Sequence, residues 1–246
     1  MSYFTLQEAA ERYDRFRPKV HDAVLKWLAP WTPEGGFGSA IDIACGTGDS
    51  TLPLLQISNR LIGVDASPAM LSQARGKGFE PRQASYDEIA EGNAFDLINC
   101  CMAFHWFEQD IAISSFKRIS RPGAIWLIYN FAFAGHATSE AFNQWFFQHY
   151  LKQYPSPPRG KAAAVIPDND SEIEILKADK GVIPLRFNRE ELIGYLTTQS
   201  NIEAAVRAGR KYETIEADLH TQLKQIDLDG DFNYAYTYGI YRYCVD

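Results

Sequence analysis

Several things are scarce in this sequence, and each scarcity excludes a class of protein. Four cysteines, at 45, 100, 101 and 244, occur in 246 residues, and none forms a C-x-x-C pair. That spacing supports neither a zinc site nor a redox motif. Small buried hydrophobes in a reducing compartment suit these cysteines better. Basic residues are outnumbered, 24 Lys and Arg against 31 Asp and Glu, and no Lys/Arg-rich run occurs. A net charge of −7 argues against a nucleic-acid or anionic-membrane partner, which would call for a basic patch. No apolar run reaches the ~20 residues of a spanning helix. The first residues lack the basic-then-apolar pattern of a secretory signal, so the expected location is cytoplasmic. Paired carboxylates, a serine triad and a metal-ligand cluster are likewise missing from the motif pattern.

The remaining composition is ordinary for a globular chain, with 46% hydrophobic and 22% charged residues. The length suits a single domain over residues 1–246 with an inserted lid. The informative stretch runs from Ala40 to Asp65. A short apolar run (Ile41, Ile43, Ala44) meets the turn Cys45-Gly46-Thr47-Gly48 and so reads as a buried parallel strand. Asp49 or Ser50 is placed to cap a following helix. A second apolar run, Leu61 to Val64, closes on Asp65. Strand, glycine turn, helix, strand and terminal acid describe a nucleoside-binding unit, and Gly46 and Gly48 allow close approach to the backbone. A dinucleotide fingerprint wants a third glycine, where this chain has Thr51. Asp49 would also repel a pyrophosphate at the helix start and favour a cationic ligand.

The string from Asp42 through Gly48 to Asp65 closely resembles the first motif of the class I S-adenosylmethionine-dependent methyltransferases. The resemblance extends to Ser67-Pro68-Ala69-Met70-Leu71, to Ala103-Phe104-His105-Trp106-Phe107, and to the Tyr-x-x-x-Arg-Pro segment at Tyr13, Arg17 and Pro18. The last two point to the trans-aconitate methyltransferase-like small-molecule subgroup. It implies an α/β, doubly wound, seven-stranded, mostly parallel sheet with an antiparallel last strand inserted between the fifth and sixth. It also implies S-adenosylmethionine as cofactor and S-adenosylhomocysteine as product. Cofactor contacts are then expected from Tyr13, Arg17, Asp42, Ala44, Gly46, Gly48, Asp65, Ala66, Met70, Ser85, Tyr86 and Cys101. Asp65 would take the ribose hydroxyls, Met70 would lie against adenine, and Arg17 would pair with the cofactor carboxylate. Ala84 stands where many relatives carry an aspartate for the adenine amine, which leaves Ser85 or the backbone near Tyr86 for that work.

Taken in order, the chain reads as amphipathic helices over Leu6–Leu28 divided by Pro18, then an edge strand near Phe79–Ala84 that contains Pro81. Strands follow at Phe95–Met102 and Ala124–Phe131, with a helix over Glu108–Ser120 that turns Ile111, Phe116 and Ile119 inward. Residues 131–180 read as a helical lid whose helix, capped by Ser139, carries Phe142, Trp145, Phe146, Phe147, His149 and Tyr150. Its aromatic surface either faces a cavity or partner or packs the lid down. Val182–Phe187, a helix at Arg189–Thr198, one long helix over Ile202–Ile226 and an alternating strand from Phe232 complete it.

These elements point to methyl transfer to a small-molecule acceptor, which could be a carboxylate, phenol, amine or carbon acid. His105 is the first candidate base, with His136 and His149 behind it. A silent cofactor-binding protein and an NAD-dependent dehydrogenase are the alternatives; a monomer or homodimer is expected.

Overall fold

The computed structural model describes residues 6–157 and 170–245. These fall into two compact units. One, the sheet unit, comprises residues 19–131, 170–181 and 236–245; the other, the aromatic unit, comprises residues 6–18, 132–157 and 182–235. The strands are β1 (Ala40–Ile43), β2 (Leu61–Asp65), β3 (Glu80–Gln83), β4 (Phe95–Cys101), β5 (Ser120–His136), β6 (Ile173–Leu185) and β7 (Phe232–Tyr243). The helices are α1 (Gln7–Phe16), α2 (Ala23–Leu28), α3 (Pro68–Ala74), α4 (Gln109–Ile119), α5 (Glu140–Trp145), α6 (Leu151–Gln153), α7 (Arg189–Leu196), α8 (Ser200–Arg207) and α9 (Tyr212–Leu223).

The strands form one seven-stranded sheet in the order β3-β2-β1-β4-β5-β7-β6. Parallel pairing joins β1 to β2 and β4, β2 to β3, and β4 to β5. The antiparallel last strand lies between β5 and β6, as the resemblance implied. Central strands are mostly apolar because both faces are covered, and every residue of β1, Asp42 included, is buried. On one face Ile41, Ile43, Ile62, Val64, Ile98, Cys100 and Ile128 pack with Phe116 and Ile119 of α4. Each such side chain contributes about 1.5–3 kcal/mol when fully buried. Pro81 sits in β3, which is the outermost strand, where a missing donor is tolerated.

The aromatic unit is built around ring contacts. Phe133 meets Phe142, Phe146, Phe187, Tyr195 and Phe232 at centroid distances of 5.0 to 6.5 Å. Ser139 caps α5 as expected, accepting from Phe142 N at 3.3 Å. A π-helical turn, Phe146–Tyr150, then joins α5 to α6. Phe142, Trp145, Phe146 and Tyr150 are all buried, so their surface serves packing, while Phe147 and His149 point out. Asn188 and Glu191 form a reciprocal capping box at the start of α7. Gly194 lets α1 approach α7: a Cβ there would come within 2.3 Å of the Phe16 ring.

Several boundaries differ from the sequence reading for identifiable reasons. The segment after the glycine turn is a short 3-10 helix, Leu52–Gln56, with Pro53 in its first turn and no side-chain cap. The long helix expected over 202–226 is broken into α8 and α9, because Gly209 takes a left-handed conformation at φ +99°. Ile111 is 49% exposed, so the buried stripe of α4 is carried by Ala112, Ser115, Phe116 and Ile119. β5 begins four residues early and runs to His136, and β6 begins at Ile173. The described helical part of the expected 131–180 lid is therefore Glu140–Gln153, and residues 158–169 lie outside the described residues.

Candidate active site

β1 ends at Ile43, and the next five residues make the glycine turn. Ala44 adopts φ +57°, Gly46 +56° and Gly48 +92°. A left-handed alanine is strained by roughly 1–3 kcal/mol. Met102, which follows β4, shares the feature at φ +53°. β1 and β4 are adjacent and in register through Ile43 and Cys100, so the two strained residues stand at neighbouring carboxyl ends. Ligands of open parallel sheets bind at those ends.

Two carboxylates pin the turn. Asp42 is wholly buried and accepts from Ser50 Oγ at 2.7 Å, Thr51 Oγ1 at 2.6 Å and Asn99 Nδ2 at 2.7 Å. Burial pushes its pKa up to about 6 against the pull of those three donors. Its oxygens are thus committed to the protein. Asp65 accepts from Gly46 N at 2.9 Å through Oδ2 and from Ser67 N at 2.8 Å through Oδ1. Burial raises its pKa, and these two amides oppose the rise. One bond per oxygen leaves each with a further lone pair, which fits a pair of ribose hydroxyls.

The glycines divide their work. A Cβ on Gly46 would approach Met70 Cε at 3.1 Å, which places the Met70 side chain against the turn. A Cβ on Gly48 would come within 2.7 Å of the Phe79 ring, so internal packing requires that glycine. Ser67 caps α3 by accepting from Met70 N at 3.3 Å, with Pro68 in the first turn, and this fixes Met70. Ala66 is exposed beside it. Ser85 and Tyr86 already have partners: the Ser85 hydroxyl donates to Asp87, and Tyr86 stacks on Phe107 at 4.1 Å.

Asp49 does not stand as the free anion that its place in the sequence suggested. Lys19 Nζ lies 2.7 Å from its carboxylate and Lys77 Nζ 3.8 Å, while Lys77 also donates to Thr47 O at 2.9 Å. Asp49 is therefore neutralised where it stands, and it does not by itself select a cationic ligand.

At the ends of β4 and β5, Cys101 pairs in register with Tyr129. His21 Nδ1 lies 3.0 Å from Tyr129 Oη and 3.9 Å from Cys101 Sγ. Sequence reading did not find His21, because nothing in a turn ahead of a short helix marks it for this position. His105 lies in a 3-10 turn after β4, with Nδ1 3.1 Å from Asn130 Oδ1. An amide oxygen accepts only, so Nδ1 is the donor in this contact.

Tyr13 and Arg17 belong to the aromatic unit. Arg17 stacks over Tyr13 at 4.5 Å and donates to Thr198 O at 2.8 Å, and its Nε is buried with no hydrogen-bond partner. His136, a reserve candidate for the base, has a structural job. Its Nδ1 accepts from Thr138 N and Ser139 N, and its Nε2 lies 3.0 Å from Asp229 O. With both ring nitrogens used and 2% exposure, it has no capacity to act as a base. His149 lines an outward-facing surface cleft of about 680 Å³ with Trp145 and Lys152.

A mostly parallel sheet with a pinned glycine turn after β1 and an acid ending β2 is an arrangement that suits a nucleoside in open α/β sheets. Comparison with known proteins narrows the class. Residues 41–128 match the family model described as a methyltransferase domain. A Dictyostelium discoideum protein named as a methyltransferase is 24% identical over 229 residues, which is 90% of this chain and 86% of that one. The trans-aconitate 2-methyltransferase of Deinococcus radiodurans is 26% identical over 119 residues, and the match spans 46% of its length. A solved structure from Anaeromyxobacter dehalogenans, described as a type II methyltransferase, shares the fold with a TM-score of 0.67 at 22% identity. It covers 94% of this chain and 100% of that one. Over residues 41–128 the chain is similar to a methyltransferase domain, and its fold is shared with a solved methyltransferase.

Proposed function

We propose that the protein methylates a small-molecule acceptor, with His105 as the group that takes the acceptor's proton. When bound, S-adenosylmethionine supplies an electrophilic methyl group for in-line displacement. Gly46, Asp65 and Met70 would hold its nucleoside, with Ala44, Gly48, Ala66, Ser85, Tyr86 and Cys101 as the surrounding surface. Asp42 would act beneath that surface by fixing Ser50 and Thr51.

The observation that carries the reading is the pinned turn: Asp65 tethers Gly46 N and Ser67 N and still keeps lone pairs for two hydroxyls. For the base, the support is the place of His105 in the turn after β4 and the Asn130 contact at Nδ1 that orients its ring. The test combines calorimetric binding of S-adenosylhomocysteine with a radiolabelled methyl-transfer screen over small acids, phenols and amines. Binding and transfer are expected. In His105→Ala, turnover should fall about 10²–10⁴-fold with cofactor affinity retained. Equal loss of both would assign His105 a structural role, and absence of cofactor binding would refute the function.

A further inference from the structure

The two outer strands of the described sheet are built differently. β3 is four residues long with Pro81 second, so it offers a neighbouring chain little to pair with. β6 is thirteen residues long, and its proline, Pro184, is next to last. Past Ile173 none of its residues is buried, and the side chains of Lys177 and Asp179 are 48% and 50% exposed. Among the described residues no strand lies on the outer side of β6. The N–H and C=O groups along such an edge are a template for another strand.

Charge decides which strand fits. Lys177 and Asp179 are two residues apart on one face, and Lys177 Nζ lies 4.0 Å from Asp179 Oδ2. A two-fold antiparallel pair of β6 strands sets one residue opposite its own copy. Centring on Lys177, Asp179 or Lys180 would bring like charges face to face, which destabilises a ladder. Centring on Leu176 sets Lys177 and Asp179 opposite Ile175 and Ile173. Centring on Ala178 sets Lys177 opposite Asp179 of the second copy and Asp179 opposite its Lys177, so the four charges alternate on one face. Ala178 is exposed and small enough to face itself. Pro184, which has no N–H to donate, then falls opposite Glu172, outside the strand.

We propose that the protein forms a two-fold homodimer through β6, in the register that sets Ala178 opposite Ala178 and Lys177 opposite Asp179. The partner is a second copy because a strand that complements β6 must carry the same charges in reverse order, and β6 run antiparallel to itself does so. The interface is isologous: each copy gives the same residues and receives the same residues.

Sedimentation of the full chain tests the dimer. The wild type should reach a monomer–dimer equilibrium, and a chain still monomeric at ~100 µM overturns the proposal. Lys177→Glu and Asp179→Lys each turn two attractive pairs into repulsive ones, so each should raise the dimer dissociation constant about 10–100-fold. Mixed in equal amounts, the two variants restore opposite charges across the axis and should form a heterodimer of about wild-type affinity. A dimer that resists both substitutions, or a mixture that stays monomeric, overturns the proposal. The register is tested by cross-linking in a Cys244→Ser background, where the three remaining cysteines are buried. Ala178→Cys should form an intermolecular disulfide on air oxidation, because facing residues of an antiparallel pair have Cα atoms about 4.5–5.5 Å apart. Lys180→Cys, which faces Leu176 of the second copy, should not. Cross-linking through position 180 and not through 178 overturns the register.

Discussion

Replacing Asp42 with asparagine should make the protein more tolerant of alkaline pH, although it removes a buried carboxylate with three donors. The folded protein raises the Asp42 pKa from the ordinary 3.8 to about 6 because burial penalises the ionised form more than Ser50, Thr51 and Asn99 reward it. A raised carboxyl pKa contributes stability that is complete below the unfolded value and is lost as pH rises through the folded one. At about 1.4 kcal/mol per tenfold change in proton affinity, the rise puts roughly 3 kcal/mol on this site between pH 4 and pH 7. In Asp42→Asn the new amide oxygen can accept from Ser50 and Thr51. The new amino group faces Asn99, whose Oδ1 lacks a partner and can accept after an amide flip. Urea unfolding of both proteins from pH 4 to pH 8 measures the difference. Burial likewise raises the pKa values of Asp65 and Glu203, the latter to about 7, and because both proteins contain these groups the comparison cancels them. The wild type should fall behind the variant by up to about 3 kcal/mol as pH rises. A pH-independent difference, or a variant that is the weaker protein at pH 8 by more than about 1 kcal/mol, would show that the ionised, triply bonded carboxylate is net stabilising.

Asp65→Asn keeps one acceptor oxygen but loses the charge; S-adenosylhomocysteine affinity should drop about 10–100-fold by calorimetry, and unchanged affinity would remove Asp65 from the ribose site. Gly48→Ala drives a Cβ to within 2.7 Å of the Phe79 ring at φ +92°, so the melting midpoint should fall by the equivalent of about 1–3 kcal/mol. Adding Phe79→Leu should recover part of that loss, and no recovery would place the cost in the backbone alone. Asn188→Ala breaks the capping box of α7 and should cost about 1 kcal/mol in urea unfolding.

Much of the sheet unit was legible because its signals are local. Apolar runs of four to seven residues ended by Gly46, Asp65 or Met102 mark β1, β2 and β4 within a residue of their observed limits. Ser67-Pro68 announced α3, and Asn188 announced α7, because caps satisfy amides only two or three residues away. Gly209 was also in plain view, but a glycine breaks a helix only where packing demands the turn, and that demand comes from elsewhere in the chain. The same limit hid the start of β6: residues 174–181 are largely exposed, and Ile173, Ile175, Leu176 and Ala178 do not keep up the alternation that marks a strand.

The sequence by itself determined the nucleoside unit. Its strand, turn and acid lie within twenty-six residues, so steric and hydrogen-bond rules acting over short distances suffice to fix them. Tertiary structure decided which charges and protons that unit presents. Asp49 looked like a free anion until Lys19 and Lys77, each about thirty residues away, were brought to it. His21 meets Tyr129, more than a hundred residues further along, only in the folded chain. A carboxylate or imidazole takes its protonation state from whatever fills the few ångströms around it, and in a buried site those neighbours come from remote parts of the chain.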